Sequence, residues 1–269
     1  MTECILSVPL QLPGIVPVLQ LQVHADKDIY ISEVLRRDGL WEPFETSLVQ
    51  RFLKPGDSFL DAGANIGYFT VLAAACVGEH GKVYAFEPEP RNYALLAKNI
   101  QLNKFGDRVH AAAMALAAEP GEGQLHLHPD NLGDHQLYTD DQSRQAINIE
   151  LAAGAVYLQP HCERLDLVKI DTQGSEQQVV QGLMPLLKSS GPDLKMIIEL
   201  TPFSLRQAGT TGAALIELLA QLELPFAIVD HIEHRLVSVS ADELRQWCRN
   251  VDSCSKDEGF MNIMVGVPV

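Results

Sequence analysis

The cysteines of this chain form no pattern that is typical of disulfides or zinc sites. There are five of them among 269 residues, with no CxxC pair: Cys4, Cys76, Cys162, Cys248 and Cys254. An odd and scattered set does not build a disulfide framework, and structural zinc sites usually take paired cysteines. A reducing compartment is therefore expected, and we predict a cytoplasmic protein.

Long apolar runs and an excess of basic residues are also missing. The N-terminus lacks the basic start and continuous apolar core of a secretory signal, and no apolar run approaches the ~20 residues that span a bilayer. Lys and Arg total 20 against 35 Asp and Glu, which gives a formal net charge of -15. Such a surface repels phosphate backbones. We expect neither a membrane nor a nucleic-acid partner.

What the sequence does contain is an alternation of short apolar runs with longer segments of helical periodicity. Strand-like runs occur at Ser58–Asp61, Lys82–Glu87, Val109–Leu116, Asp166–Asp171, Leu194–Leu200 and Phe226–Val229. Between them, apolar residues recur at helical spacing, as in Tyr93, Leu96 and Ile100. This alternation is typical of an α/β fold, and runs of apolar residues are typical of strands buried on both faces. A mostly parallel sheet is predicted.

Two segments break this rhythm and are interpreted as additions to the core. Residues 1–50 begin with proline-punctuated, β-like sequence, and residues 117–160 contain the polar, turn-rich stretch "EPGEGQLHLHPDNLGDHQL". We predict an N-terminal extension or cap at 1–50 and one domain at 51–269, with an insertion at about 117–160 over its functional site. After residue 226, "FAIVDHIEHRLVSVS" and "FMNIMVGV" predict an antiparallel ending.

The stretch "FLDAGANIGYFTV" predicts a ligand-binding turn between a strand and a helix. Asp61 ends the strand, Gly63 and Gly67 flank Asn65, and Tyr68 begins the helix. We expect the backbone N–H groups of this turn to face a ligand, and Gly63 to let the ligand approach closely. The dinucleotide motif GxGxxG has a glycine where Asn65 stands, and no phosphate-loop lysine follows. A phosphate ligand is therefore the weaker interpretation.

The next strand ends in "VYAFEPEP", which places Glu87 at its carboxyl end. A carboxylate at this position can accept hydrogen bonds from both hydroxyls of a ribose. Pro88 offers an apolar wall to a base. A nicotinamide-dependent oxidoreductase stays open as an alternative, because such a carboxylate serves the ribose of either cofactor.

Three blocks of the sequence carry a resemblance to a known family. They read "PGDSFLDAGANIGYFTVLAA", "GKVYAFEPEPRNYALLAKNIQLN" and "LDLVKIDTQGSEQQVVQGL". In order and spacing they resemble the signature blocks of the FkbM family of methyltransferases, from about residue 38 to the C-terminus. The resemblance implies a class I, Rossmann-like methyltransferase fold, with a mostly parallel seven-stranded sheet, an antiparallel C-terminal hairpin and helices on both faces.

The same resemblance implies a cofactor and a reaction. The cofactor is S-adenosyl-L-methionine, and the reaction is methyl transfer to a hydroxyl of a small molecule or sugar in a polysaccharide or natural-product pathway. The sequence leaves the oligomeric state open, with a homodimer as one alternative. The implied cofactor-binding residues are Asp61, Gly63, Asn65, Gly67, Glu87, Pro88 and Asp171.

One block departs from the family pattern. The third block usually reads KIDVEGxE in the family, whereas this chain has Thr172 and Gln173 in place of Val and Glu. The second acid of the family block is therefore absent at position 173. A non-catalytic protein that keeps the cofactor fold therefore remains an alternative.

A hydroxyl acceptor must lose a proton, so a base is expected near the transferred methyl group. Asp171 is the first candidate, because it ends the fourth strand at the edge where such sheets bind ligands. His135, in the loop "DNLGDHQL", is the second. Lys169 is predicted to point to the opposite side of the strand and to pair with an acid. Asp171 and Glu199 could hold Mg²⁺, but no third acid is evident and a metal is not predicted.

Two further regions carry candidate residues outside these blocks. In "DGLWEPFETSLVQRFLKPGD", Trp41 and Phe44 are predicted apolar anchors. Glu42 and Glu45 are candidate contacts to the amino group of the ligand. His231 and His234 are predicted to be surface residues in a turn between two late strands.

Overall fold

The computed structural model describes residues 5–25, 28–255 and 259–267, so Cys4 lies outside the described residues. The strands are β1 (Ile5–Pro9), β2 (Gln20–His24), β3 (Ser58–Ala62), β4 (Lys82–Phe86), β5 (Val109–Ala112), β6 (Ala115–Ala117), β7 (Gly121–Leu127), β8 (Gln145–Ala153), β9 (Leu167–Ile170), β10 (Lys195–Leu200), β11 (Phe226–Asp230), β12 (Arg235–Val239) and β13 (Met261–Val265). The helices are α1 (Ile31–Asp38), α2 (Pro43–Phe52), α3 (Tyr68–Val77), α4 (Pro90–Leu102), α5 (Gly154–Leu158), α6 (Glu176–Ser190), α7 (Pro202–Gln207), α8 (Gly212–Ala220) and α9 (Ala241–Val251).

Eight of these strands form the central sheet, in the order β12-β11-β13-β10-β9-β3-β4-β5. The five strands from β10 to β5 run parallel, and β13 lies antiparallel between β10 and β11. This is the Rossmann-like arrangement that the sequence predicts, with helices on both faces. The predicted count of seven strands is wrong by one, because β12 pairs with β11 along its whole length and forms an eighth strand at the edge.

The sheet separates two apolar cores, one on each face. Alternate residues of β3 belong to different cores: Phe59 packs with α2, α3 and α4, whereas Leu60 packs with α6, α8 and α9. Because the strands are buried on both faces, they have few polar positions along their length. Polar side chains can therefore gather where the parallel strands end, at the carboxyl edge of the sheet.

Residues 109–160 differ from the sequence interpretation in their strand content. The run Val109–Leu116 is two strands, because β5 stays in the central sheet while β6 leaves it to pair with β8. β7 and β8 pair along seven residues and complete a separate three-stranded sheet. Much of the segment that the sequence indicated as irregular is thus regular.

The N-terminal residues form a hairpin that lies against α4. The N–H of Gln22 donates to Oδ1 of Asn99 at 2.6 Å, and Nδ2 of Asn99 donates back to the carbonyl of Gln22 at 2.9 Å. Asn103 makes the same pair of bonds to Gln20. Within the described ranges, no helix has the length and apolar character needed to cross a bilayer.

Candidate active site

Two adjoining cavities lie at the carboxyl edge of the sheet. Cavity A has about 670 Å³ of space, part of it open to solvent, and is lined by residues that follow β3 and β4 together with the 115–137 segment. Cavity B has about 680 Å³, also partly open to solvent, and is lined in part by Trp41 and Glu42. The two cavities share Ile31, Gly133, Asp171 and Gln173.

The glycine turn after β3 does not offer open N–H groups to either cavity. The N–H groups of Gly63 and Ala64 both donate to the carbonyl of Phe86 at 3.0 Å, and that of Asn65 donates to Oε2 of Glu87 at 2.8 Å. The remaining amides of the turn bond to Asn65 Oδ1 and to the Ala64 carbonyl. The prediction that these amides face a ligand is therefore wrong, because β4 and the turn itself use them.

The two glycines of the turn are required by contacts within the protein. Gly63 has a φ of +84°, and a Cβ there would lie 2.0 Å from the carbonyl oxygen of Asp171. A Cβ at Gly67, where φ is +90°, would lie 2.6 Å from a methyl group of Leu96 on α4. Gly63 lines cavity A, whereas Gly67 lies behind it among the packing contacts of α3 and α4. Close packing of the chain on itself explains both glycines.

Glu87 lies directly after β4, lines cavity A and is only 6% exposed. Its Oε2 accepts the N–H of Asn65 at 2.8 Å and its Oε1 accepts that of Glu89 at 2.9 Å. Burial raises the pKa of Glu87 to about 8, although these two backbone bonds oppose the shift. The neighbouring Pro88 also lines cavity A. The site therefore holds a carboxyl group that would gain from further hydrogen-bond donors.

Asp61 is buried behind the cavities and does not line either of them. Its Oδ2 accepts a hydrogen bond from Oγ1 of Thr70 at 2.6 Å. Burial raises the pKa of Asp61 to about 6, and the nearby Lys169 acts in the opposite direction. The structure thus gives Asp61 a supporting position next to Lys169, away from the place where the sequence predicted a ligand contact.

Lys169 is the cation at the centre of this acidic edge. It is 5% exposed, and its Nζ lies 2.9 Å from Oδ2 of Asp171, 4.0 Å from Oε2 of Glu42 and 4.6 Å from the ring centroid of Phe69. Burial alone would lower the pKa of Lys169, but the surrounding carboxylates raise it. The predicted pairing with an acid is confirmed. The predicted orientation is wrong, because the side chain of Lys169 lies on the same side as that of Asp171 and bonds to it.

Glu42 caps α2 and lines cavity B. Its backbone has a φ of +41°, which is uncommon for a residue with a side chain. The Oε2 atom of Glu42 is buried and has no hydrogen-bond donor, with Lys169 the nearby cation. Burial raises the pKa of Glu42 to about 7, although Lys169 opposes the shift. This carboxyl group therefore exchanges its proton near neutral pH.

Glu45 lies one turn further along α2 and outside both cavities. It is completely buried, and its Oε1 lies 3.1 Å from Nε2 of His231 and 2.6 Å from Nδ2 of Asn262. His234 stacks on Phe44, with ring centroids 5.6 Å apart. Both histidines are exposed, as predicted, and their contacts hold the turn between β11 and β12 to the start of α2.

Asp171 and Glu199 are joined by an amide. The Nε2 atom of Gln173 lies 2.6 Å from Oδ1 of Asp171 and 2.7 Å from Oε2 of Glu199, and all three residues line cavity B. Gln173 has a φ of +55°. Across the described residues, no group of three or more His, Cys, Asp or Glu is arranged to hold a metal ion. Sequence reasoning treated Gln173 as a lost acid and missed this bridge.

His135 lines cavity A, and its hydrogen bond fixes its tautomer. Nδ1 of His135 accepts the backbone N–H of His128 at 3.0 Å, so the proton of the neutral ring lies on Nε2. Burial lowers the pKa of His135 to about 4. At neutral pH the ring is therefore an uncharged hydrogen-bond donor. This geometry argues against the prediction that His135 acts as the base.

The loop that carries His135 is fixed over cavity A. The carbonyl of Leu132 accepts one hydrogen bond from Nδ2 of Asn65 at 3.0 Å and another from Nδ2 of Asn92 at 2.9 Å. Asn92 in turn bonds to the ring of His24 at 3.0 Å. The asparagine of the glycine turn thus connects β3 to the 128–135 loop, which forms one wall of the cavity.

Comparison with known proteins supplies the family. Residues 61–251 match the family model described as "Methyltransferase FkbM domain". "Methyltransferase 1" of Beauveria bassiana (strain ARSEF 2860) is 27% identical over 150 residues, covering 48% of this chain and 59% of that protein. The 31-O-demethyl-FK506 methyltransferase FkbM of Streptomyces tacrolimicus is 38% identical over 80 residues, covering 29% of each.

This chain spans 61% or less of the length of these and the other curated relatives that it matches. Among solved structures, it is similar to the methyltransferase FkbM of Methylobacillus flagellatus KT, with 11% identity, a TM-score of 0.47, and coverage of 82% of this chain and 50% of that one. The family model covers more than half of the chain, and the protein therefore belongs to the FkbM family of methyltransferases.

Proposed function

We propose that this protein is an S-adenosyl-L-methionine-dependent methyltransferase that transfers a methyl group to a hydroxyl of a small molecule. The observation that carries the proposal is the buried carboxyl of Glu87, which lines cavity A, while cavity A meets cavity B at Asp171 and Gln173. One cavity can hold a nucleoside, and the other can hold an acceptor. The 31-O-demethyl-FK506 methyltransferase relative supports transfer to oxygen.

The residues of cavity A fit an adenosine group without phosphates. Glu87 has the acceptor atoms that two ribose hydroxyls need, and Pro88, Leu116 and Leu132 supply apolar walls for a base. Among the described residues that line cavity A there is no Lys or Arg, and the turn amides are already bonded. A pyrophosphate would have neither cations nor open amides to bind it, which disfavours a nicotinamide dinucleotide.

When bound, the cofactor supplies an activated methyl group on a positively charged sulfur. The carboxylates of Asp171 and Glu199 favour a cationic group where the two cavities meet, because both are acidic side chains that line cavity B. Holding the two reactants together is worth about 7–11 kcal/mol of the barrier in well-oriented cases. The main task of the chain is therefore to orient them.

We propose Glu42 as the general base that removes the proton from the acceptor hydroxyl. Asp171 already bonds to Lys169 through Oδ2 and to Gln173 through Oδ1, whereas Oε2 of Glu42 has no donor. The pKa of Glu42, about 7, suits a general base at neutral pH. Asp171, the first candidate from the sequence, is then the residue that holds Lys169 and Gln173 in place.

Calorimetry with S-adenosylhomocysteine tests the proposed cofactor. We expect one site per chain, and we expect Glu87→Gln to weaken binding by about 1.5–3 kcal/mol, the usual worth of hydrogen bonds to a charged group. Glu150→Gln is the matched control, because Glu150 is exposed on β8. A wild-type protein that does not bind this compound would refute the proposal. Release of S-adenosylhomocysteine with a panel of hydroxylated compounds then identifies the acceptor.

A further inference from the structure

The side-chain amide of Gln173 occupies the position at which a cation would bridge two acids. Its Nε2 lies 2.6 Å from Oδ1 of Asp171 and 2.7 Å from Oε2 of Glu199. Calcium lies about 2.3–2.6 Å and magnesium about 2.0–2.1 Å from their oxygen ligands, so the nitrogen lies at about the distance of a calcium ion and farther from the oxygens than a magnesium ion would. The two oxygens are therefore no more than about 5.3 Å apart.

The strands explain why these two carboxylates meet. Asp171 directly follows β9, Glu199 lies near the end of β10, and the two strands are parallel neighbours that pair Ile170 with Ile198. Two carboxylates so close repel each other unless donors or a cation lie between them. Lys169 binds Oδ2 of Asp171 at 2.9 Å, and the amide of Gln173 is a donor that contacts both Oδ1 of Asp171 and Oε2 of Glu199.

We propose that Gln173 is a positioning residue that takes the place of a divalent cation between Asp171 and Glu199. Its two N–H groups hold both carboxylates at the junction of the cavities, and the wild-type junction therefore works without an added metal. Replacing the amide by a carboxylate creates three acids at one point, which is a set of oxygen ligands that suits a divalent cation. The activity part of this inference rests on the proposed function, whereas its metal-binding part does not.

Manganese titration followed by electron paramagnetic resonance tests the metal-binding part without cofactor or acceptor. We expect no stoichiometric Mn²⁺ site in the wild type, and one site per chain in Gln173→Glu that is lost in Gln173→Glu/Asp171→Asn. Gln178→Glu is the matched control, because Gln178 bonds to Tyr138 and lines neither cavity. An Mn²⁺ site in the wild type that Asp171→Asn removes would overturn the inference. So would a folded Gln173→Glu variant that binds no Mn²⁺.

A thermal melt checks that the variants are folded and gives a second measure of the same site. The melting temperature of Gln173→Glu is expected to rise on addition of Mn²⁺, while those of the wild type and Gln178→Glu stay unchanged. Equal shifts in all three proteins would contradict a site at residue 173.

Methyl transfer with and without chelator tests the positioning role. We expect the wild type to keep its turnover in EDTA, Gln173→Met to lose on the order of tenfold or more whether or not Mg²⁺ is present, and Gln173→Glu to recover turnover when Mg²⁺ is added. Wild-type turnover that requires Mg²⁺, or full turnover of Gln173→Met, would overturn the inference. If no variant binds S-adenosylhomocysteine, the proposed function fails while the Mn²⁺ titration still decides the bridge.

Discussion

Oε2 of Glu87 accepts the backbone N–H of Asn65 at 2.8 Å, which joins the acid after β4 to the glycine turn after β3. Burial keeps the pKa of this acid at about 8 in the unliganded protein. In the proposed function a ribose diol donates to the ionised form, so its binding would be linked to the loss of this proton.

We therefore expect the affinity for S-adenosylhomocysteine to rise between pH 6 and pH 8, by up to about tenfold per pH unit, and to level off above pH 8. Calorimetry across this range measures the slope, with Glu87→Gln as the comparison, which is expected to show a much weaker dependence. An affinity of the wild type that does not change with pH would contradict this linkage.

Glu42→Gln separates the two roles that Glu42 can have. As the base, Glu42 contributes about 10²–10⁴-fold to turnover, and the amide cannot take a proton. We expect the variant to lose turnover to that extent, together with the rise of wild-type turnover through pH 7, while its affinity for S-adenosylhomocysteine stays within about twofold. A variant that instead binds the cofactor product poorly would identify Glu42 as a contact to the amino group of the ligand.

Gly63→Ala is expected to be strongly destabilising. The added Cβ would lie 2.0 Å from the carbonyl oxygen of Asp171 in a backbone conformation that favours glycine. We expect a loss of roughly 2–4 kcal/mol in the free energy of unfolding, measured by urea denaturation. Gly106→Ala is the control, because a Cβ at Gly106 meets open space. Equal stabilities of the two variants would show that the turn can move away from Asp171.

His231→Ala tests the contact between the β11–β12 turn and α2. The hydrogen bond to the buried Glu45 raises the pKa of His231, with Glu42 and Asp230 acting in the same direction. A histidine whose pKa is raised on folding contributes its full stabilisation at pH values below the ordinary histidine pKa. This contribution is lost as pH rises through the raised pKa of the folded state.

We therefore expect the melting temperature of His231→Ala to be lowered more at pH 6 than at pH 9, relative to the wild type. His80→Ala, at an exposed position, should show no such difference. A deficit that is equal at both pH values would mean that shape, and not charge, holds the turn to the helix.

The three buried acids at the carboxyl edge make stability depend on pH. The pKa of Asp61 is raised to about 6, that of Glu42 to about 7 and that of Glu87 to about 8. At these three groups the folded state binds more protons than the unfolded state between about pH 4 and pH 8, so their contribution to the free energy of unfolding falls as pH rises through this range.

Glu87→Gln should accordingly be more stable than the wild type at pH 8, by up to a few kcal/mol, and equal to it near pH 4. Chemical denaturation at both pH values measures this difference. A variant that is less stable than the wild type at pH 8 would show that the carboxylate is already well compensated without ligand.

Sequence patterns predicted the positions of the acids better than their partners. Glu87 follows a buried strand and faces a cavity, as "VYAFEPEP" indicated, and Asp171 follows another strand at the same edge. The use of the turn amides could not be read from local sequence, because their acceptor, Phe86, lies on a neighbouring strand. Asp61 likewise depends on a distant partner, since its charge is set by burial and Lys169.

Two features were present in the sequence and missed. Lys169 lies on β9 and Asp171 follows its last residue, so their shared side was predictable by extending the two-residue period of the strand by one position. In β8, Ile147, Ile149 and Leu151 alternate with polar residues, which indicates a half-exposed strand in a region that was interpreted as irregular. The bridge through Gln173 depends on the adjacency of β9 and β10, which no local pattern shows.

The hydrogen bonds that hold the backbone of the glycine turn affect the rate and the entropy of ligand binding. Since Gly63, Ala64 and Asn65 already donate to Phe86 and Glu87, we expect the turn to keep its shape when a ligand arrives. The wall that it forms is preorganised, so little ordering of the backbone opposes association at this side of the cavity. The turn therefore supplies a preorganised wall of the cavity, and we expect the side chains around it to determine which ligands bind.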